Sequence, residues 1–256
     1  MKIALIQSSL IWENPIANRA YFEEKINAIT ENIDLIVLPE MFTTGFTMNP
    51  NQVAETMQGE TVLWLQTLAK AKKSAITGSI IIAEDNNYYN RFLFVFPNGE
   101  IQHYDKRHLF TLAGEDKTYT AGTQKLIVNY KDFKICPLIC YDLRFPVFAR
   151  NTEDYGLLIY VASWPEVRIT AWDTLLRARA IENLSYVIGV NRIGEDDNKH
   201  IYTGHSQAID FLGNYLIEPI HNTEGVFITT LDKEKLMETR QKLNFLNDRD
   251  EFEILL

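Results

Sequence analysis

The chain has 256 residues, 46 % of them hydrophobic and 23 % charged, a balance that supports a sizeable buried core and excludes intrinsic disorder. Acidic residues outnumber basic ones 34 to 25, giving a net charge of -9, and no Lys or Arg run offers a track for phosphates, so no nucleic-acid partner is expected. No apolar stretch approaches the roughly 20 residues that span a bilayer, and MKIALIQSSLIWEN lacks the long apolar core of a signal peptide, so a soluble, cytoplasmic protein without a membrane partner is expected.

In chain order, short apolar runs rich in β-branched residues predict buried strands at 2–7, 34–39, 75–83, 126–128, 133–139, 157–162 and 186–191. Helical patterns with an apolar stripe and a charged face lie between them at 16–29, 60–73, 146–154 and 169–183. The stretch 91–105 is different. Two alternating runs flank Pro97-Asn98-Gly99-Glu100, and Asn-Gly is a strong hairpin signal because both central residues tolerate positive φ. A second hairpin is expected across Phe211-Leu212-Gly213-Asn214, joining 206–210 to 215–218. Pro137 removes a ladder hydrogen bond, so a bulge or local distortion is predicted there. The tail 248–256 has no periodic pattern, and no linker or repeat divides the chain. Residues 1–256 are therefore expected to form a single layered α/β domain.

The only cysteines are Cys136 and Cys140. Their spacing along one strand puts both on the same face, too far apart for a disulfide, and favours a reducing compartment. The histidines form no HExxH or similar cluster, so neither a metal nor another cofactor is expected.

Three places can carry chemistry. Glu40 ends the apolar run 34–39, at the carboxyl edge where open α/β sheets bind ligands, and a half-buried carboxylate there can act as a base. Its bland alternative is a turn carboxylate bonded to nearby amides. Cys140 ends the run 134–139 and leads through Tyr141 into a helix opened by Pro146, an elbow that exposes a nucleophile and aims backbone N–H groups at its target. The bland alternative for Cys140 is a small buried hydrophobe, a role that suits Cys136, inside the strand, much better. Lys106, if it faces Cys140, favours the thiolate and then an oxyanion, although adjacent charges usually mark a solvated loop. Glu115, in a polar stretch, needs no special explanation on its own.

LPEMF around Glu40, DKRHLF around Lys106 and CYDLRFP around Cys140 together resemble the nitrilase superfamily of carbon–nitrogen hydrolases, in order and in spacing. The resemblance implies a four-layer α-β-β-α sandwich of two mixed sheets flanked by helices. It implies a homodimer or higher oligomer, with 169–183 burying one face against a second subunit. It implies Cys140 as nucleophile, Glu40 as general base and Lys106 as electrostatic clamp. It also implies that Glu115 helps hold the lysine and that the Tyr141 backbone N–H supports the oxyanion. CYDLRFP, SWP and RARAIEN look most like the omega-amidase branch, which removes the terminal amide of 2-oxoglutaramate or 2-oxosuccinamate through a thioester.

For such a small amide substrate, Arg144 is expected to grip the α-keto carboxylate, its alternative being an ion pair with Asp142 or another acid. Phe42, Thr44 and Trp164 are expected to shape the pocket, and Arg179 with Glu182 to form a structural pair. Competing readings are another nitrilase-like amidase or N-carbamoyl amino-acid hydrolase, a cysteine-protease pairing of Cys140 with His108 or His205, and a non-catalytic binding protein of the same fold.

Overall fold

A computed structural model describes residues 1–254. Its first half runs β1 (Lys2–Gln7), α1 (Pro15–Asn27), β2 (Leu35–Val37), α2 (Pro50–Val53), α3 (Glu60–Lys72), β3 (Ala75–Glu84), β4 (Asn87–Val95) and β5 (Ile101–Asp105). The second half runs β6 (Val128–Tyr130), β7 (Phe133–Ile139), α4 (Pro146–Ala149), β8 (Leu157–Ala162), α5 (Ile169–Asn183), β9 (Tyr186–Asn191), β10 (Ile193–Glu195), β11 (Ile201–Ile209), β12 (Tyr215–His221), β13 (Gly225–Thr230) and α6 (Lys233–Leu243). One sheet has the order β13-β1-β2-β3-β4-β5, the other β10-β11-β9-β8-β7-β6 with β12 on β11. Each is mixed: β1, β2 and β3 are parallel in the first, β7, β8 and β9 in the second, and the flanking pairs are antiparallel.

The continuous apolar runs follow from burial on both faces. Ile3, Leu5, Leu35, Val37, Phe92 and Phe94 meet the second sheet in one core, while the alternate residues Ala4, Ile6, Ile36, Leu38, Leu93 and Val95 meet α1 and α3. On the far side α5 lays Trp172, Leu176 and Ala180 on the second sheet. It approaches so closely that a Cβ on Gly189 of β9 would meet Leu176 at 2.5 Å and Trp172 at 2.9 Å. The layers are α-β-β-α, as the motifs imply.

The Asn98-Gly99 hairpin forms, with Gly99 at φ 88°. The second hairpin forms too, with longer arms than expected. Other details differ. The helix expected over 146–154 stops at Ala149, because the Asn151 side chain bonds both N and O of Tyr155 at 2.9 Å and turns the chain back toward β8. The strand expected at 126–128 lies at Val128–Tyr130, its register set by a tight turn in which Lys131 and Asp132 both have positive φ. Pro137 causes no bulge: its register with β8 is unbroken, and the β6 ladder ends at Ile135, so that edge has no partner strand to miss its N–H.

β10, β13 and α6 were not apparent in the residue pattern. α6 is charge-rich and buries only Leu236, and Asp232 caps it by accepting from the Lys235 N–H at 3.0 Å. Within the tail, Ile254 packs against the main core, and residues 255–256 lie outside the described residues. Among the described residues no helix is long and apolar enough to cross a membrane.

Candidate active site

β7 delivers Cys140 at its carboxyl end, where the residue adopts φ 44° and opens a 3-10 turn, Cys140–Arg144. A non-glycine residue in this left-handed region costs of order 1 kcal/mol or more and persists only when its surroundings fix it. Asp142 supplies much of that fixing. Its buried carboxylate accepts from the Ile139 N–H at 2.9 Å, the Tyr104 hydroxyl at 2.8 Å, and the His108 N–H at 3.1 Å with Nδ1 at 2.7 Å. One side chain therefore ties the Cys140 elbow to the segment that carries Lys106.

Glu40 follows β2 and Pro39, and Lys106 follows β5. Glu40 and Glu115 are wholly buried and Lys106 is 1 % exposed, so Glu40 is more enclosed than its strand-end position suggested. Lys106 Nζ donates to Glu40 Oε1 at 2.9 Å and to the two Glu115 oxygens at 3.0 and 2.9 Å. The remaining acceptor capacity is satisfied nearby. Asn90 Nδ2 donates to Glu40 Oε1 at 2.8 Å, the Ser163 N–H to Glu40 Oε2 at 2.8 Å, and the Phe110 N–H to Glu115 Oε2 at 2.6 Å. The charged cluster is thus paired and hydrogen-bonded, the condition for keeping charges inside a protein.

Burial opposes the ammonium of Lys106, but the Glu115 and Glu40 carboxylates overcome it and hold the amine above the usual lysine range. Burial, with Glu40, pushes the Glu115 carboxyl up, and Lys106 pulls it back. Cys140 keeps part of its surface open to the cavity while protein encloses the rest. Burial and the hydrogen-bonded Glu40 carboxylate push its thiol well above the usual range, and Lys106 only partly offsets them. Lys106 favours the thiolate as expected from sequence, but it is outweighed. Burial and the Glu40 charge together favour the thiol over the thiolate.

Lys106 and Cys140 open onto a cavity of about 670 Å³, whose lining also includes Tyr141, Arg144, Ser163 and Trp164. Glu40 and Glu115 are not in that lining: both are bonded to Lys106 behind it, and Glu40 also to the Ser163 N–H. The Arg144 guanidinium lies 5.0 Å from the Trp164 ring centroid and has no ion pair with Asp142, whose oxygens are taken by Ile139, Tyr104 and His108. Phe42 and Thr44 do not line the cavity, a correction to the expectation from sequence. Met41, at φ 43°, swings the chain so that Phe42 enters the helix-facing core, edge-on to Phe22 at 5.4 Å. Thr44 is fully buried, with its hydroxyl on the Gly45 carbonyl. The aromatic wall comes instead from Phe46, 5.2 Å below Lys106 Nζ, and from Trp12 and Phe110.

His108 is held by Asp142 and stacked on Phe145 at 3.7 Å, and His205 bonds Asp173 at 2.9 Å, so neither histidine partners Cys140. Arg179 and Glu182 pair at 2.8 Å. Asn90, Asp142 and Ser163 were not singled out from the sequence. Among the described residues, no group of three His, Cys, Asp or Glu side chains is arranged to hold a metal ion.

The model of the carbon-nitrogen hydrolase family matches residues 2–241. The chain is 42 % identical over 257 residues to an omega-amidase, YafV, from Yersinia enterocolitica, covering 100 % of this chain and 99 % of that protein. It is 31 % identical to a 2-oxoglutaramate amidase from Bacillus subtilis, covering 96 % of each. The crystal structure of the CN-hydrolase superfamily protein XC1258 from Xanthomonas campestris, which has an arsenic adduct in its active site, superposes with a TM-score of 0.97 at 43 % identity, covering 99 % of this chain and 98 % of that one. With the family matched along most of its length, the chain belongs to the carbon-nitrogen hydrolases, the nitrilase superfamily that its three motifs resemble.

Proposed function

We propose that this chain is a cysteine-dependent amidase that releases ammonia from the terminal amide of a short α-keto acid, 2-oxoglutaramate or 2-oxosuccinamate. The observation that carries the reading is a thiol and a buried ammonium opening onto one cavity, with a buried carboxylate bonded to that ammonium behind the wall and, on the same wall, the Arg144 guanidinium, which has no ion-pair partner among the described residues. The omega-amidase and 2-oxoglutaramate amidase names of the relatives support the substrate class.

Glu40 takes the Cys140 proton as sulfur attacks the amide carbon, which suits a thiol whose ionisation alone is costly. The carbonyl electron pair moves onto oxygen, where the Tyr141 N–H and the Lys106 charge stabilise it. Glu115 keeps Lys106 in place, because two of its short contacts run to that carboxylate. Glu40 passes its proton to the leaving nitrogen, the C–N bond breaks, and ammonia departs from a thioester. Water, deprotonated by Glu40, then attacks the thioester carbonyl, releases the acid and restores the thiol. Arg144 binds the α-keto carboxylate, and Trp164 forms part of the wall behind it.

Residues 1–256 act as one hydrolase domain, cytoplasmic and homodimeric or larger. The exposed face of α5 carries Ile181, 45 % exposed, beside Thr170, Thr174 and Arg177, and is the face assigned to the second subunit. The test is ammonia release from 2-oxoglutaramate, N-carbamoyl-β-alanine and a simple nitrile. Expected is a kcat/KM for 2-oxoglutaramate far above the others; equal or greater turnover of the carbamoyl compound would replace the α-keto acid assignment with that of a carbamoyl hydrolase.

A further inference from the structure

The cavity contains a second guanidinium that the mechanism above does not use. Arg168 ends the 3-10 turn Glu166–Arg168 between β8 and α5, and it lines the same cavity as Arg144. Its guanidinium lies 5.1 Å from the Phe110 ring centroid, as Arg144 lies over Trp164. The two are linked through the wall itself, since Trp164 Nε1 donates to the Arg168 carbonyl at 2.8 Å. Stacking on an aromatic face orients a guanidinium while leaving its N–H edge free.

Among the described residues neither Arg144 nor Arg168 has a carboxylate within ion-pair distance, and neither guanidinium donates a hydrogen bond to the chain. In contrast, Lys106, the other cation at this cavity, is bound by two glutamates. In a protein of net charge -9, two unpaired arginines stacked on the wall of one cavity provide fixed positive charge with unused donors.

We propose that Arg168 is a specificity-determining residue that forms, with Arg144, a clamp of two guanidinium groups around the oxygen-rich head of the substrate. The inference rests on the amidase reading and deepens it. One guanidinium satisfies a carboxylate with two parallel bonds, and the second leaves donors for the adjacent keto oxygen or for a shared carboxylate oxygen. The clamp selects amides whose far end is anionic over neutral amides of equal length. It also retains the acid product, which carries the same head.

The experiment measures kcat/KM for 2-oxoglutaramate and for a neutral short-chain amide, with wild type, Arg168→Gln and Arg168→Lys. Expected for Arg168→Gln is a fall of roughly 10- to 100-fold in the ratio of the two kcat/KM values, carried mainly by KM for the anionic substrate, the loss typical of a charge-assisted hydrogen bond. Inhibition by 2-oxoglutarate should weaken in parallel, and Arg168→Lys should recover part of both. An unchanged ratio in Arg168→Gln, with wild type preferring the anionic amide, overturns the clamp and leaves the amidase reading standing. A wild type that does not hydrolyse 2-oxoglutaramate defeats the underlying reading instead. A ratio lost in Arg168→Gln with no recovery in Arg168→Lys, and with a lowered melting temperature in both, assigns Arg168 to wall structure and overturns its role in specificity.

Discussion

Replacing Glu115 by Gln removes one negative charge from the cluster around Lys106 while keeping nearly the same shape. In the wild type, three short contacts converge on Glu115: Lys106 Nζ at 3.0 and 2.9 Å and the Phe110 N–H at 2.6 Å. A carboxylate accepts them all, whereas a glutamine has one oxygen and an NH2 group, so at least one buried donor must face another donor. Removing one partner of a buried ion pair costs about 3–5 kcal/mol. Glu40 remains 2.9 Å from Nζ and offsets part of this, which points to the lower end, about 3 kcal/mol. For a chain of this size each kcal/mol lowers Tm by about 2–4 °C, so the expected fall is roughly 6–12 °C. Because Lys106 loses its anchor, kcat should fall by roughly 10- to 100-fold, a loss of about 1.4–2.7 kcal/mol of transition-state stabilisation. Thermal melts and ammonia release measure the two effects on one preparation. A variant within about 1 kcal/mol of wild type and of unchanged kcat would show that Glu115 does not hold the lysine.

Cys140→Ser and Glu40→Gln should each lower kcat by at least about a thousandfold while the fold is kept, read by turnover beside circular dichroism. Asp142→Asn, which loosens the tie between the elbow and the Tyr104–His108 segment, should lower kcat more than it changes KM; an effect on KM alone would contradict a positioning role. Burial pushes the Cys136 thiol from 9.0 up to about 12. The folded state therefore keeps a proton that the unfolded chain loses, and this stability is complete below pH 9 and lost as pH rises toward 12. Urea midpoints between pH 8 and about 10.5 should show a slope about one proton shallower in Cys136→Ala, and parallel curves would refute the assignment. With its thiol also raised, Cys140 in the free protein should react slowly with iodoacetamide at neutral pH and faster above pH 9; a rate already at its plateau near pH 7 would point to a resting thiolate instead.

The strands at the centres of the sheets were legible because burial on both faces leaves no polar alternation to confuse the pattern, as in β1, β7, β8 and β9. Strands and helices at the margins were not. β13 is only half-buried and α6 is mostly solvated, so little apolar periodicity marks either one. Cys140 and Glu40 each stand where an apolar run ends abruptly at a reactive side chain, but that pattern alone fits a turn carboxylate or a buried hydrophobe equally well, and only the three motifs taken together marked them as site residues. Glu115 could not be picked out from its own surroundings, since its partner Lys106 reaches it only after the chain folds through the 3-10 turn Thr111–Ala113 and Glu115 opens the next.

Asn90 was a missed signal of a readable kind: a buried asparagine in β4, between Tyr89 and Arg91 at the start of the buried half of the strand, where a polar side chain needs partners. Ser163 left no such trace, because its contribution is a backbone N–H that any residue could supply. Phe42 was misplaced because a residue after a strand end points wherever the turn sends it. The positive φ of Met41, not visible in the residue types, sent Phe42 into the core.

The most direct test of the central claim is to quench turnover of 2-oxoglutaramate with acid and map the modified peptide by mass spectrometry. An acyl group in thioester linkage on the peptide containing Cys140, absent in Cys140→Ser and accumulating when deacylation is slowed, is the expected result. Full turnover with no adduct on Cys140, or an adduct on Cys136 or on another side chain, would contradict it.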